Sequence, residues 1–294
     1  MLTGLVSEPP SCGTHPAGFR GKQASHPYAP PGFGVTGSSG ALPTPFVVLA
    51  RPRTGSTTLC YLLAAHPEVR MFREVFHHSF TWPAAYPLNW TLRDRDLHRK
   101  EYLDLVLSDS IPHAPGMGPK AVGIKLFPHQ VTSAELTAIL LSPYILKIDL
   151  RRHNCVSMYV SEQKAESLHS WQQTNTTAMR LQVSPSRLRH YCKKVEDSLA
   201  CIDGLRKQAD EKGQGDTWFD VDYRDLYSPE RGAQVLSKAY NFLRLRSLPN
   251  LREVFDVTIG VKLDKARLRD TITNYKFVLN ALSDTPRYQA LLGE

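Results

Sequence analysis

Apolar and polar positions along this chain switch repeatedly between a strand period and a helix period. Phe46-Val47-Val48-Leu49-Ala50 is an apolar run long enough for one buried strand, and Leu59, Leu62 and Leu63 follow at helical spacing. Met71 to Phe76 is a second apolar run, carrying Arg73 and Glu74. Asp94 to Leu107 predicts a helix, and Ala121 to Phe127 a strand. Thr132-Ser133-Ala134-Glu135 predicts a capping box on a helix that ends near Leu141, before Pro143. Tyr144 to Leu150 predicts a further buried strand, followed by a helix through Ser157, Ser161 and Ala165. Ser184-Pro185 opens a long helix whose stripe is Leu188, Tyr191, Cys192, Val195, Leu199 and Ile202. Phe219, Val221 and Tyr223 alternate with aspartates as a strand does. Ser228-Pro229 starts another helix, and Ile272, Tyr275, Leu279 and Leu282 mark a last long one. Strands alternating with helices predict an α/β fold, a three-layer α/β/α arrangement around a parallel sheet.

Between the first strand and its helix stands Arg51-Pro52-Arg53-Thr54-Gly55-Ser56-Thr57-Thr58. A helix start leaves N–H groups unpaired and its dipole favours an anion. Gly55 admits a close backbone approach, Ser56, Thr57 and Thr58 add donors, and Arg51 and Arg53 add charge. A nucleoside-triphosphate loop reads GxxxxGK[ST], and no GK[ST] occurs in this chain. Hydroxyls and arginine without that lysine suit an anion that needs no metal.

The 294 residues carry a net charge of +8, which favours an anionic ligand. The basic residues form no long block and no zinc-finger spacing, which argues against nucleic acid. Five cysteines without a CxxC pair argue against a disulfide framework and for a reducing, cytoplasmic setting. No apolar run approaches the roughly 20 residues of a membrane span. Residues 1–43, rich in Pro, Gly, Ser and Ala, read as a disordered segment before one domain over 44–294. With only Glu8 acidic, that segment leaves an organellar transit peptide open. No His/Cys/Asp/Glu cluster has metal-ligand spacing.

Arg53-Thr54-Gly55-Ser56-Thr57 resembles the 5′-phosphosulfate loop, [RK]-[ST]-G-[ST]-[ST], of sulfotransferases that use 3′-phosphoadenosine-5′-phosphosulfate (PAPS). Leu150-Arg151-Arg152-His153-Asn154 with Ser161 resembles the 3′-phosphate motif of the bacterial and algal lipopolysaccharide, nodulation and trehalose sulfotransferases. Arg151 or Arg152 takes the family's arginine position, and Arg152 is the better match. Glu74-Val75-Phe76 is similar to the family's GE[IVL]F, Gly123 to Phe127 to GFKL[FM], Tyr223 to Leu226 to YEDL, and Ile272 to Tyr275 to I.NY. The last two are expected to be scaffold.

The resemblance implies a P-loop-like sulfotransferase fold and transfer from PAPS to a hydroxyl or amine. The acceptor would be a small molecule, carbohydrate or lipid, and a homodimer is compatible with the family. Arg51, Arg53, Thr54, Gly55, Ser56, Thr57 and Thr58 would hold the phosphosulfate, and Arg151 or Arg152 with Ser161 the 3′-phosphate. Arg53 would stabilise the leaving oxygen, Glu74 would be the base, and Lys125 would touch the sulfonate. Apolar neighbours Phe72, Val75 and Phe76 are expected to make Glu74 a stronger base. His77, His78 and His129 would line the acceptor side, with His129 the alternative base. Lys262, Lys265 and Arg267 are candidates to close over the nucleotide. The rival classes are a P-loop phosphotransferase and a non-catalytic nucleotide-binding protein.

Overall fold

The computed structural model describes residues 42–79, 90–108, 118–169, 176–259 and 267–293. Nearly all of the Pro/Gly/Ser-rich segment 1–43, and Lys262 and Lys265, lie outside them. The strands are β1 (Thr44–Leu49), β2 (Val69–Phe72), β3 (Ala121–Leu126), β4 (Leu146–Arg151) and β5 (Trp218–Asp222). All pair in parallel, in the order β2-β3-β1-β4-β5. β1 is central, with Val48 in register with Lys125 on one side and Ile148 on the other. From β1 the chain runs to the β2 edge and back through β3, then crosses to β4. The carboxyl end of β1 therefore lies where the winding reverses, the crevice in which open α/β sheets bind ligands.

Side chains alternate across each strand, and each face of the sheet carries its own core. Val47, Leu49, Val122, Ile124 and Leu126 face α3 (Arg99–Leu107), α4 (Ser133–Leu140) and the last turns of α6 (Pro185–Glu211). Phe46, Val48 and Ile148 face α1 (Ser56–Ala64), α8 (Gly232–Phe242) and α9 (Leu251–Ile259). The three-layer arrangement follows. Gly123 lies opposite Phe46, and a Cβ there would sit 2.2 Å from that ring, so the second family-like strand needs its glycine. A third cluster joins α5 (Cys155–Ser167) to the first half of α6, α11 (Tyr275–Ala281) and α12 (Pro286–Gly293).

The predicted caps are present: Thr132 and Glu135 form the capping box of α4, and Ser184 accepts from the Arg187 N–H at the start of α6. Three expectations are corrected. The helix expected over Asp94–Leu107 is two, α2 (Leu92–Leu97) and α3, because His98 between them leaves the helical region at φ −124°, ψ 46°. The last long helix, expected over Ile272 to Leu282, is the shorter α11, preceded by α10 (Leu268–Thr271), because Ile272 between them is extended and bridges to Leu181. The cysteines are not all thiols: Cys155 and Cys192 form a disulfide between α5 and α6, and Cys201 is also disulfide-bonded. Sequence spacing missed this pair because residues 37 apart meet only through helix packing. Cys60 is free and buried. Between α6 and α8, the YEDL-like residues form the short α7 (Tyr223–Leu226) after β5. Among the described residues no helix is long and apolar enough to cross a membrane.

Candidate active site

β1 ends at Leu49, and the loop that follows turns sharply. Thr54 Oγ1 donates to the Arg51 carbonyl at 2.7 Å. Arg53 adopts φ +63° and Gly55 φ +78°, left-handed conformations that strain an arginine and suit a glycine. A Cβ on Gly55 would also lie 2.7 Å from the Tyr227 ring. Gly55 is the N-cap of α1 and supplies no side-chain cap, so the first N–H groups of α1 are left for another acceptor. Ser56 is buried there, Thr57 is exposed, and Thr58 accepts from the Tyr227 hydroxyl at 2.8 Å.

One flank of the loop is cationic. Arg53 Nε donates to Ser161 Oγ at 2.9 Å, which joins the loop to α5. Arg152 donates to the Arg53 carbonyl at 2.8 Å and lies 4.3 Å above the Tyr223 ring. The loop and the Arg152–Ser161 motif are therefore in direct contact. Arg151 points elsewhere: it pairs with Asp149 at 2.6 Å and with Asp203 at 2.7 Å. Successive residues of a strand face opposite ways, so only one of these arginines can reach the loop. Arg51 donates to the Lys194 carbonyl at 3.2 Å, while its Nε is a buried donor without a partner. Desolvation lowers the pKa of Arg51 to about 10, and that of Arg53 in the same direction. With a pKa of about 10, Arg51 keeps its charge near neutral pH.

The other flank holds a carboxylate. Glu74 lies two residues beyond the end of β2, and Lys125 near the end of β3 meets it at 2.7 Å. Lys125 is buried and also donates to Thr57 Oγ1 at 3.2 Å, so it links Glu74 to the loop. Gln130 donates to the second Glu74 oxygen at 2.9 Å. The apolar surroundings expected for Glu74 are corrected: Phe72, Val75 and Phe76 turn into the core, and two polar donors hold the carboxylate. Arg73 stays apart, over the Tyr61 ring at 4.8 Å.

His77 and His78 stack at 4.4 Å just after Glu74. His129 stacks on Phe127 at 5.7 Å, and its pKa is lowered by desolvation and by Arg51. His77 and His129 both lie within reach of the Glu74 charge. Arg267 is on the surface, paired with Asp270 at 3.0 Å. Tyr223, expected to be scaffold, lies beside Gly55 and under Arg152, and Tyr227 packs against Gly55 as well. The YEDL-like match marked their segment, but neither tyrosine has a spacing signal that places it beside the loop. No group of His, Cys, Asp and Glu able to hold a metal occurs among the described residues.

Three solved structures are similar to this chain. A sulfotransferase, STF9, from Mycobacterium avium matches at 14% identity and a TM-score of 0.43, over 83% of this chain and 76% of its own. A sulfotransferase from Alicyclobacillus acidocaldarius matches at 15% identity and 0.40, over 86% of this chain and 97% of its own. The sulfotransferase domain of the Synechococcus PCC 7002 olefin synthase matches at 14% and 0.38, over 73% and 78%. No family model and no curated protein matches the chain. Likeness this low leaves the question of activity to the residues themselves.

Proposed function

We propose that this chain, over residues 44–294, is a sulfotransferase that moves a sulfuryl group from PAPS to a hydroxyl or amine. The observation that carries this reading is the adjacency of two unlike flanks across one loop. Arg53, Arg152 and Ser161 meet on one side, and the Glu74–Lys125 pair reaches Thr57 on the other. The unpartnered Arg51 Nε and the uncapped start of α1 fit an anionic ligand at the loop. The Tyr223 face beside Arg152 fits an aromatic base next to a phosphate.

PAPS is a second substrate, held in this reading by the α1 N–H groups, Ser56 and Thr57 at its phosphosulfate and by Arg152 and Ser161 at its 3′-phosphate. The acceptor oxygen bonds to sulfur as the bond from sulfur to the bridging oxygen breaks. The electron pair stays on that oxygen, now part of the 5′-phosphate of adenosine 3′,5′-bisphosphate, and the acceptor proton passes to Glu74. Arg53 faces the charge that grows on the leaving oxygen; an arginine serves there as an electrostatic partner rather than a proton donor. Lys125 keeps Glu74 beside the loop and lends its own charge to the sulfonate. His77, His78 and His129 line the acceptor side, which takes a small molecule, carbohydrate or lipid.

A cytoplasmic setting was expected from the cysteines, but disulfides persist in oxidising compartments. The Cys155–Cys192 bond favours such a compartment for this protein. The function is tested by incubating the purified protein with sulfur-labelled PAPS, an acceptor extract and EDTA. Labelled product dependent on the protein supports the reading. Magnesium-dependent phosphate transfer from ATP, with no sulfur transfer, overturns it.

A further inference from the structure

The Glu74 carboxylate is gripped at both oxygens. Oε1 meets Lys125 Nζ at 2.7 Å and Oε2 accepts from Gln130 Nε2 at 2.9 Å. Gln130 closes a 3₁₀ turn, Pro128–Gln130, directly after β3. Its own amide has one orientation available: Oε1 accepts the Phe127 N–H at 3.2 Å, so the NH₂ must face the carboxylate. The backbone is fixed as well. The Gln130 N–H donates to the Phe127 carbonyl at 2.9 Å, and the Gln130 carbonyl accepts from Arg99 at 2.8 Å.

Arg99 itself is anchored, paired with Glu135 at 2.6 Å and lying 4.2 Å over the Phe76 ring. The buried Arg95 donates to the His77 carbonyl at 2.5 Å. The segment that bears Glu74 is thus fastened from α2, α3 and the turn. Other groups near the carboxylate are Lys125 from β3, Cys60 from α1, His77 from its own segment and His129 from the turn. Burial pushes the Cys60 thiol up to about 12, so it stays protonated.

We propose that Gln130 is a positioning residue for transfer: its amide holds one Glu74 oxygen, which keeps the other against Lys125 and the loop. This rests on the sulfotransferase reading for its effect on rate, though not for its effect on geometry. A carboxylate held only by Lys125 can rotate about its side-chain bonds. A misplacement of about 1 Å at a reacting centre lowers rates by as much as about a hundredfold.

The test compares Gln130→Ala and Gln130→Glu with wild type in transfer kinetics, bisphosphate affinity and crystals. The expected result for Gln130→Ala is a fall in kcat of about 10- to 100-fold, with KM for PAPS and bisphosphate affinity kept within about twofold. Gln130→Glu is nearly isosteric, yet it sets a second carboxylate against Glu74 and should be the more damaged variant. A packing role predicts the opposite order. In crystals of Gln130→Ala, Glu74 should turn away from its place beside Lys125. Near-wild-type transfer in Gln130→Glu, or an unmoved Glu74 in Gln130→Ala, would overturn the proposal. If wild type transfers nothing from PAPS, the function proposed above fails, and the crystals still decide the role of Gln130. Gln130→Met replaces Gln130→Ala if the latter does not fold.

Discussion

On one flank of the loop, Glu74, Lys125 and Gln130 close an ion pair with an added amide donor. On the other, Arg53 and Arg152 meet beside Ser161 and Tyr223, and among the described residues neither Arg51 nor Arg152 makes an ion pair. The first flank balances its own charge internally; in the proposed reading the second offers positive charge to a phosphate. A carboxylate that must take a proton needs fixed geometry. A multiply charged phosphate needs donors that are not already neutralised. Arg151 makes the contrast local: one residue from Arg152, it is bound to Asp149 and Asp203 and contributes nothing to the loop.

If the flanks are separate, their variants should fail differently. Glu74→Gln should lower kcat about a hundredfold or more and leave bisphosphate affinity intact, measured by transfer at saturating PAPS and by calorimetry. Arg152→Ala should do the converse. It removes charge-assisted bonds worth about 1.5–3 kcal/mol each, so bisphosphate affinity should fall about 10- to 100-fold, with a smaller loss of kcat at saturation. Equal loss of both quantities in either variant would merge the two flanks into one site.

The disulfide lies behind the cationic flank, at the start of α5. Replacing Cys155 and Cys192 by Ala should cost about 3 kcal/mol, or about 5–10 °C in melting temperature. It should weaken bisphosphate binding more than it lowers kcat, because α5 carries Ser161. An unchanged melting temperature would mean that helix packing alone holds α5 to α6.

The smallest effect lies far from both flanks. Lys147 is fully buried, donates to Thr217 Oγ1 at 3.2 Å, and has its pKa lowered by desolvation from 10.5 to about 7. Between those values the unfolded chain binds the proton and the native one does not, so stability rises with pH across that window. The contribution is full above pH 10.5 and is lost as pH falls through about 7. Lys147→Met should flatten the denaturation midpoint against pH between about 7 and 10.

Much of this was legible in the chain. The strands, the capping box at Thr132 and the cap at Ser184 are local signals, and they sit where the spacing puts them. The loop was legible because strand, glycine, hydroxyls and arginines are contiguous. What escaped was every relation between distant segments. Gln130 and Tyr223 act through partners 56 and about 70 residues away, and no period in the sequence links them. The Cys155–Cys192 bond escaped for the same reason. The surroundings of Glu74 were misjudged because β2 ends at Phe72 and Glu74 opens a turn closed by the His77 N–H, so strand alternation does not set which way it faces. Phe72, Val75 and Phe76 took the core and left the carboxylate to Lys125 and Gln130.

The proposed function requires the cationic flank to hold a nucleotide bearing a 3′-phosphate. Calorimetry of the purified protein with adenosine 3′,5′-bisphosphate, adenosine 5′-monophosphate and magnesium ATP tests it directly. The bisphosphate should bind far more tightly than either of the others, and Arg152→Ala should remove most of its advantage over the monophosphate. Equal or tighter binding of magnesium ATP, or no preference for the 3′-phosphate, would contradict the claim.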